Sequence, residues 1–118
     1  MRAISIFLLG LALGGCDGLR DDIPKGPDTG FRNGDRVEVT KAGTIKWNNM
    51  VVTDAELTTF VRQYAALPKG AGPLWAEFEP GAPLDRAMFV RKQIVGSGLC
   101  RQRRCVEGTW GVERPVVN

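Results

Sequence analysis

From Arg36 to Tyr64 the chain reads RVEVTKAGTIKWNNMVVTDAELTTFVRQY, and this stretch decides the fold. Arg36-Val37-Glu38-Val39-Thr40 alternates polar with apolar residues, the period of a half-buried strand. Lys41-Ala42-Gly43 reads as a turn, and Thr44-Ile45-Lys46-Trp47 alternates again. The two runs make a hairpin whose Val37, Val39, Ile45 and Trp47 face the core. Asn48-Asn49 is a second turn signal, and Met50-Val51-Val52 is a short apolar continuation. Thr53-Asp54-Ala55-Glu56 then fits the capping-box pattern, in which Thr accepts from a free backbone amide and Glu bonds back. Leu57, Phe60, Val61 and Tyr64 recur at helical spacing and form the inner face of a helix. Thr58, Thr59, Arg62 and Gln63 fall outside, and Pro68 and Gly70 end it.

Downstream the signals thin out. Residues 73–80 form a strand candidate bracketed by prolines, with Leu74, Ala76 and Phe78 alternating with Trp75, Glu77 and Glu79. A second helix is expected from about Leu84 to Val95, with Leu84, Ala87, Met88, Ile94 and Val95 on one face and Gly96 and Gly98 supplying the stop. Leu99-Cys100 and Cys105-Val106 suggest a strand pair closed around residues 101–104. Residues 108–118 read as a tail, with Trp110 packed back on the domain. The expected architecture is α+β: a two-layer sandwich of order β-β-α-β-α-β, two helices on one face of a small sheet.

Upstream, Met1-Arg2 supplies a positive start and residues 3–13 an apolar run broken only by Ser5 and Gly10. Small residues Gly14-Gly15 precede Cys16. This is the order of a secretory signal peptide, and the run is shorter than the roughly 20 residues of a comfortable membrane span. Leu13-Gly14-Gly15-Cys16 resembles the bacterial lipobox, which implies cleavage before Cys16 and acylation there. The resemblance implies a membrane anchored through lipid, with palmitate-type chains; two or more chains anchor stably. The alternatives are a plain signal peptide or an uncleaved anchor. Asp17 resembles the inner-membrane retention signal of enteric lipoproteins, so the inner membrane is favoured over the outer, with the domain facing the periplasm. Residues 1–15 are thus read as signal, 16–34 as lipidated N-terminus and flexible linker rich in Gly, Pro and Asp, and 35–118 as one small domain.

The chain has three cysteines and no histidine. With Cys16 assigned to lipid, Cys100 and Cys105 remain, and an oxidising compartment favours a disulfide; two buried free thiols are the alternative. A C-x4-C spacing without histidine argues against a metal site. Formal charge is +3. Between residues 86 and 104 lie Arg86, Arg91, Lys92, Arg101, Arg103 and Arg104 with no acidic residue. These six are a candidate binding patch for anionic headgroups or cell wall, or a solvated face balanced elsewhere. Nucleic acid is not an expected partner outside the cytoplasm.

Without histidine no Ser-His or Cys-His nucleophile can be built. Glu77 and Glu79 share a strand face and could pair as carboxylates, though surface solubility is the simpler reading. Gly96-Ser97-Gly98 follows a helix, whereas phosphate-binding glycine loops precede one. Neither catalysis nor a cofactor is expected.

The run from Val37 to Cys100 resembles the periplasmic domain of the ExbD/TolR family of biopolymer transport proteins. In that family a strand with a Gly-x-Ile-x-x-Asn core leads to a turn, a polar cap and a Leu-bearing helix. The counterparts here are Gly43-Thr44-Ile45-Lys46-Trp47-Asn48, Val51-Val52-Thr53 and Glu56-Leu57. The strand Trp75 to Glu79, the helix Leu84 to Val95 and the closing Gly96 or Gly98 follow in family order. The resemblance implies a non-catalytic module that dimerises or docks on an envelope component, such as cell wall or a TonB-like partner. Family members carry a proton-bearing Asp in an N-terminal membrane helix; this chain lacks that helix, and Asp17 does not inherit the role.

Overall fold

Val37 and Val39 in β1 (Arg36–Val39) are fully buried, whereas Arg36 and Glu38 between them are partly exposed. That alternation sets the sheet's inner face. β2 (Ile45–Trp47) pairs antiparallel with β1, Val37 opposite Trp47 and Val39 opposite Ile45. Asn48 and Asn49 both have positive φ, 49° and 72°. Two such residues in a row suit the tight hairpin turn whose twist matches that of the strands. Met50–Val52, the apolar continuation, is therefore a third strand, β3, antiparallel to β2 at the edge of the sheet.

The computed structural model describes residues 22–27 and 34–112. After β3 comes α1 (Asp54–Ala65), opened by the expected capping box. The Thr53 hydroxyl accepts from the Glu56 amide at 3.1 Å, and the Glu56 carboxylate accepts from the Thr53 amide at 2.8 Å. A 3-10 turn (Lys69–Ala71), β4 (Leu74–Phe78), α2 (Leu84–Gly96) and β5 (Cys105–Glu107) complete the order. The five-stranded sheet runs β3-β2-β1-β4-β5, with β1, β4 and β5 mutually parallel. Both helices lie on its inner face. Leu57, Val61 and Tyr64 of α1 and Val90 and Ile94 of α2 join Val37, Val39, Ile45, Trp47, Leu74 and Ala76 in one core. The fold is an α+β two-layer sandwich.

Several local expectations are corrected. Leu99 and Cys100 are buried in a turn and do not pair with residues 105–106; β5 instead continues the parallel sheet beside β4. The disulfide draws this turn tight, so its backbone cannot extend. In α2, Val90 and Ile94 point inward while Leu84 is 76% and Met88 44% exposed. The apolar face is thus wider than the sheet beneath it, and its strand-distal half is left in solvent.

The segment expected to be linker over residues 16–34 is also corrected in part. Residues 22–27 lie along the free edge of β5 as a strap. Lys25 bridges Glu107 in parallel; the Gly26 amide donates to the Glu107 carbonyl at 2.9 Å, and the Glu107 amide donates to Pro24 at 2.8 Å. Ile23 is 3% exposed within the core. A Cβ on Gly26 would sit 2.4 Å from Val106 Cγ2, so only glycine lets the strap lie this close.

Candidate functional site

The candidate surface is the outer side of the helical layer and the turn that follows it. α1 and α2 pack side by side and leave a 460 Å³ groove lined by Thr58, Val61, Arg62, Lys92, Gln93 and Ser97, with Gly96 at its end. The Thr58 hydroxyl meets Gln93 Oε1 at 3.1 Å across it. Arg62 and Lys92 are exposed at its margins, and none of the described residues that line it is acidic. Lys92 also borders a second hollow of 640 Å³, shared with Asp22, Met88, Arg91, Val95 and Gly96 on the strap side of α2.

The six cations of residues 86–104 do not form one patch. Arg86 forks onto Asp54 at the start of α1, Nη1 to Oδ2 at 3.1 Å and Nη2 to Oδ1 at 2.5 Å. Its guanidinium holds the Asp54 carboxyl below the usual carboxylate range, and Asp54 in turn raises Arg86. This pair ties the first turn of one helix to the first turn of the other. Arg91 bridges Asp22 and Glu107, each at 2.9 Å, and stacks 4.4 Å from the Phe78 ring centroid. It therefore clips the strap to β5.

Arg104 departs furthest from the sequence expectation. It is 4% exposed. Nη2 donates to the Tyr64 carbonyl at 3.3 Å, and Nη1 to Leu67 O at 3.0 Å and Gln102 Oε1 at 3.1 Å. Nε donates to Gly72 O at 3.4 Å. The last carbonyls of a helix have no partner within it, and a buried cation is well suited to satisfy them. Lys92, Arg101 and Arg103 are the exposed members of the six.

Cys100 and Cys105 form a disulfide with Cα atoms 4.8 Å apart, 1% and 5% exposed. The crosslink folds residues 101–104 into a knuckle whose tip presents Arg101 and Arg103 while driving Arg104 inward. Cys16, the candidate lipidation site, lies outside the described residues. No protein-family model matches the chain, and no curated protein matches it.

The carboxylate pair is not open to a substrate. Glu77 is 1% exposed, on the sheet face away from the helices and opposite Glu38 of β1. Glu79 lies just beyond β4, where its carboxylate accepts from the Lys41 amide at 2.5 Å and fastens the first turn. Surface solubility does not describe Glu77. Trp75, its neighbour on that face, is 6% exposed, so β4 is covered on both sides. Among the described residues no three His, Cys, Asp or Glu side chains gather to hold a metal ion.

Trp110 is half-buried beside a hollow it shares with Lys25, Phe78 and Glu107. The strap and the Arg104 cap are the parts missed by sequence reasoning. Ile23 was the available signal for the first: an aliphatic β-branched residue in a stretch otherwise dominated by Asp, Gly and Pro. For the second, the signal was the cation adjoining a crosslinked cysteine.

Proposed function

We propose that this protein is a lipid-tethered envelope lipoprotein whose small domain is a non-catalytic interaction module of ExbD/TolR type. The observation that carries the tether is Leu13-Gly14-Gly15-Cys16 at the end of a short apolar run. The disulfide supports export, because such crosslinks persist in oxidising compartments. The α+β sandwich supports the module: two helices on one face of a single sheet is the architecture that the family resemblance implies, and a closed β-barrel would have excluded it. The groove between α1 and α2, with Arg62 and Lys92 on its margins and no acidic residue among the described residues lining it, suits a partner bearing carboxylates or phosphates.

Two measurements test this. Intact-mass analysis of the protein from membranes should show residues 1–15 removed and acyl chains on Cys16; an intact Met1 and a free thiol would sink the tether. Crosslinking in cells should recover a motor subunit, a TonB-like protein or a cell-wall fragment, and recovery of none of the three would remove the module reading. The second reading, a structural lipoprotein gripping anionic lipid or cell wall through six cations, now rests on Lys92, Arg101 and Arg103. Arg104 is enclosed, and Arg86 and Arg91 are occupied by carboxylates.

A further inference from the structure

The docked strap changes how far the domain can stand from the lipid. This inference rests on the lipoprotein reading above. Were all of residues 17–34 slack, the folded part could stand well away from the bilayer. With Asp22 held by Arg91 at 2.9 Å and Ile23 in the core, only residues 17–21 separate the docked chain from Cys16. Whatever their conformation, six Cα–Cα steps reach at most about 20 Å. A domain of this length is roughly 30 Å across, so the tether is shorter than the body it holds. The side that carries Asp22 must stay near the membrane.

That side bears the half of the α2 surface that the core leaves uncovered. Leu84 is 76% and Met88 44% exposed, while Val95, two turns beyond Met88, is half-buried and packs in part against the core. Single exposed apolar side chains are ordinary. Here, however, Met88 and Val95 line one hollow with Asp22, Arg91 and Lys92, at the point where the tether leaves the fold. The titratable groups that line it are Lys92 on α2, Asp22 on the strap and Arg91 between them, with Glu107 of β5 on the other side of Arg91. Arg91 is shared between Asp22 and Glu107, so Lys92 is the exposed cation among the described residues that line the hollow. Exposed apolar side chains beside an exposed lysine, whose stem can lie along apolar surface with its charge at the headgroups, suit a face that rests in a lipid interface.

We infer that the outward face of α2, carrying Leu84, Met88 and Lys92, is the face that meets the bilayer holding the Cys16 lipid, and that the strap is the device that orients it. The opposite sheet edge, with Met50 61% and Val51 63% exposed in β3, then points away from the lipid. Met50 and Met88 thus report on opposite sides of one molecule.

The test is hydroxyl-radical footprinting of the lipidated full chain in vesicles of phosphatidylethanolamine with phosphatidylglycerol. The comparison is a variant with a long Gly/Ser insertion after Gly18, in the same vesicles. Met88 should oxidise several-fold more slowly in the natural chain than in the lengthened one, with Met50 equal in both. Equal oxidation of Met88 in the two chains, with acylated Cys16 seen by intact mass, overturns the inference and leaves the lipoprotein reading standing. Protection of Met50 instead would turn the domain over and also overturn it. A Cys16 without lipid removes both together.

Discussion

The Arg104 guanidinium lies 5.3 Å from the centroid of the Tyr64 ring and donates to the carbonyl of that same residue at 3.3 Å. The turn after α2 is thereby locked onto the end of α1 by one buried cation. Replacing Arg104 by Ala should cost about 2–3 kcal/mol, because the carbonyls of Leu67, Tyr64 and Gly72 would lose a buried charged donor. The double change Arg101→Glu and Arg103→Glu, on the exposed tip of the knuckle, should stay within about 0.5 kcal/mol of the parent. Urea denaturation of both variants checks the contrast. Equal effects would mean that the cap contributes nothing.

Reduction of the Cys100–Cys105 disulfide should lower stability by about 2 kcal/mol, the loop-entropy value for so short a crosslink. Both cysteines are buried, so reductant should act only after the knuckle opens. Denaturant midpoints of the oxidised protein and of the Cys100→Ser, Cys105→Ser pair measure the difference. A midpoint unchanged within error would show that the pairing is not stabilising.

Ile23→Ala should destabilise the domain by about 2 kcal/mol, the low end for emptying a buried isoleucine, since a peripheral segment can partly close the gap. Hydrogen exchange at the Gly26 and Glu107 amides, which pair strap with β5, should accelerate in that variant. Exchange at Val37 and Val39 in the sheet centre should change far less. Rapid exchange of Gly26 in the parent would mean that the strap is not docked.

Tyr64 should set an alkaline limit. Burial pushes its phenol above the ordinary value of 10.0, opposed in part by the hydrogen bond from the Asp35 amide. The hydroxyl also faces the carbonyls of Ala71, Gly72 and Pro73 at 3.0, 3.1 and 3.3 Å, and a phenolate there would meet three acceptors with no proton to offer. The folded pKa lies above the unfolded one. The contribution to stability is therefore complete below about pH 10 and is lost as pH rises through the folded value. Absorbance of tyrosinate and thermal melts across that range report it. Tyr64→Phe should abolish the pH dependence attributable to this group, at a cost of about 1 kcal/mol for the lost hydrogen bonds.

Much of the fold was legible because its signals are local. The Thr53–Glu56 capping box needs four consecutive residues, and the structure forms it as written. Val37, Val39, Ile45 and Trp47 alternate within two short runs, and all four are buried. Gly98, with φ +92°, follows the Ser97 cap as a helix stop requires. What escaped depends on distant partners. Nothing near Glu77 in the sequence tells that its side of β4 is covered, because the residues beside it in the sheet come from position 38. Arg104 looks like its exposed neighbours Arg101 and Arg103 until the crosslink sets which of the three turns inward. Met88 shares helical spacing with core residues, but periodicity cannot say how wide a strip the sheet will cover. The candidate surface was correspondingly less legible: a run of six cations in sequence became three separate structural duties and three exposed charges.

Residue 25 pairs with residue 107, so the earliest and latest parts of the described fold are immediate neighbours. Closing so wide a span is slow and entropically costly. As the chain emerges, it can shape the hairpin and α1, but the strap has no place to lie until β5 arrives. Closure of the strap therefore waits on β5, and a molecule interrupted before position 105 would leave β4 as an open edge and residues 24–26 without their backbone partners.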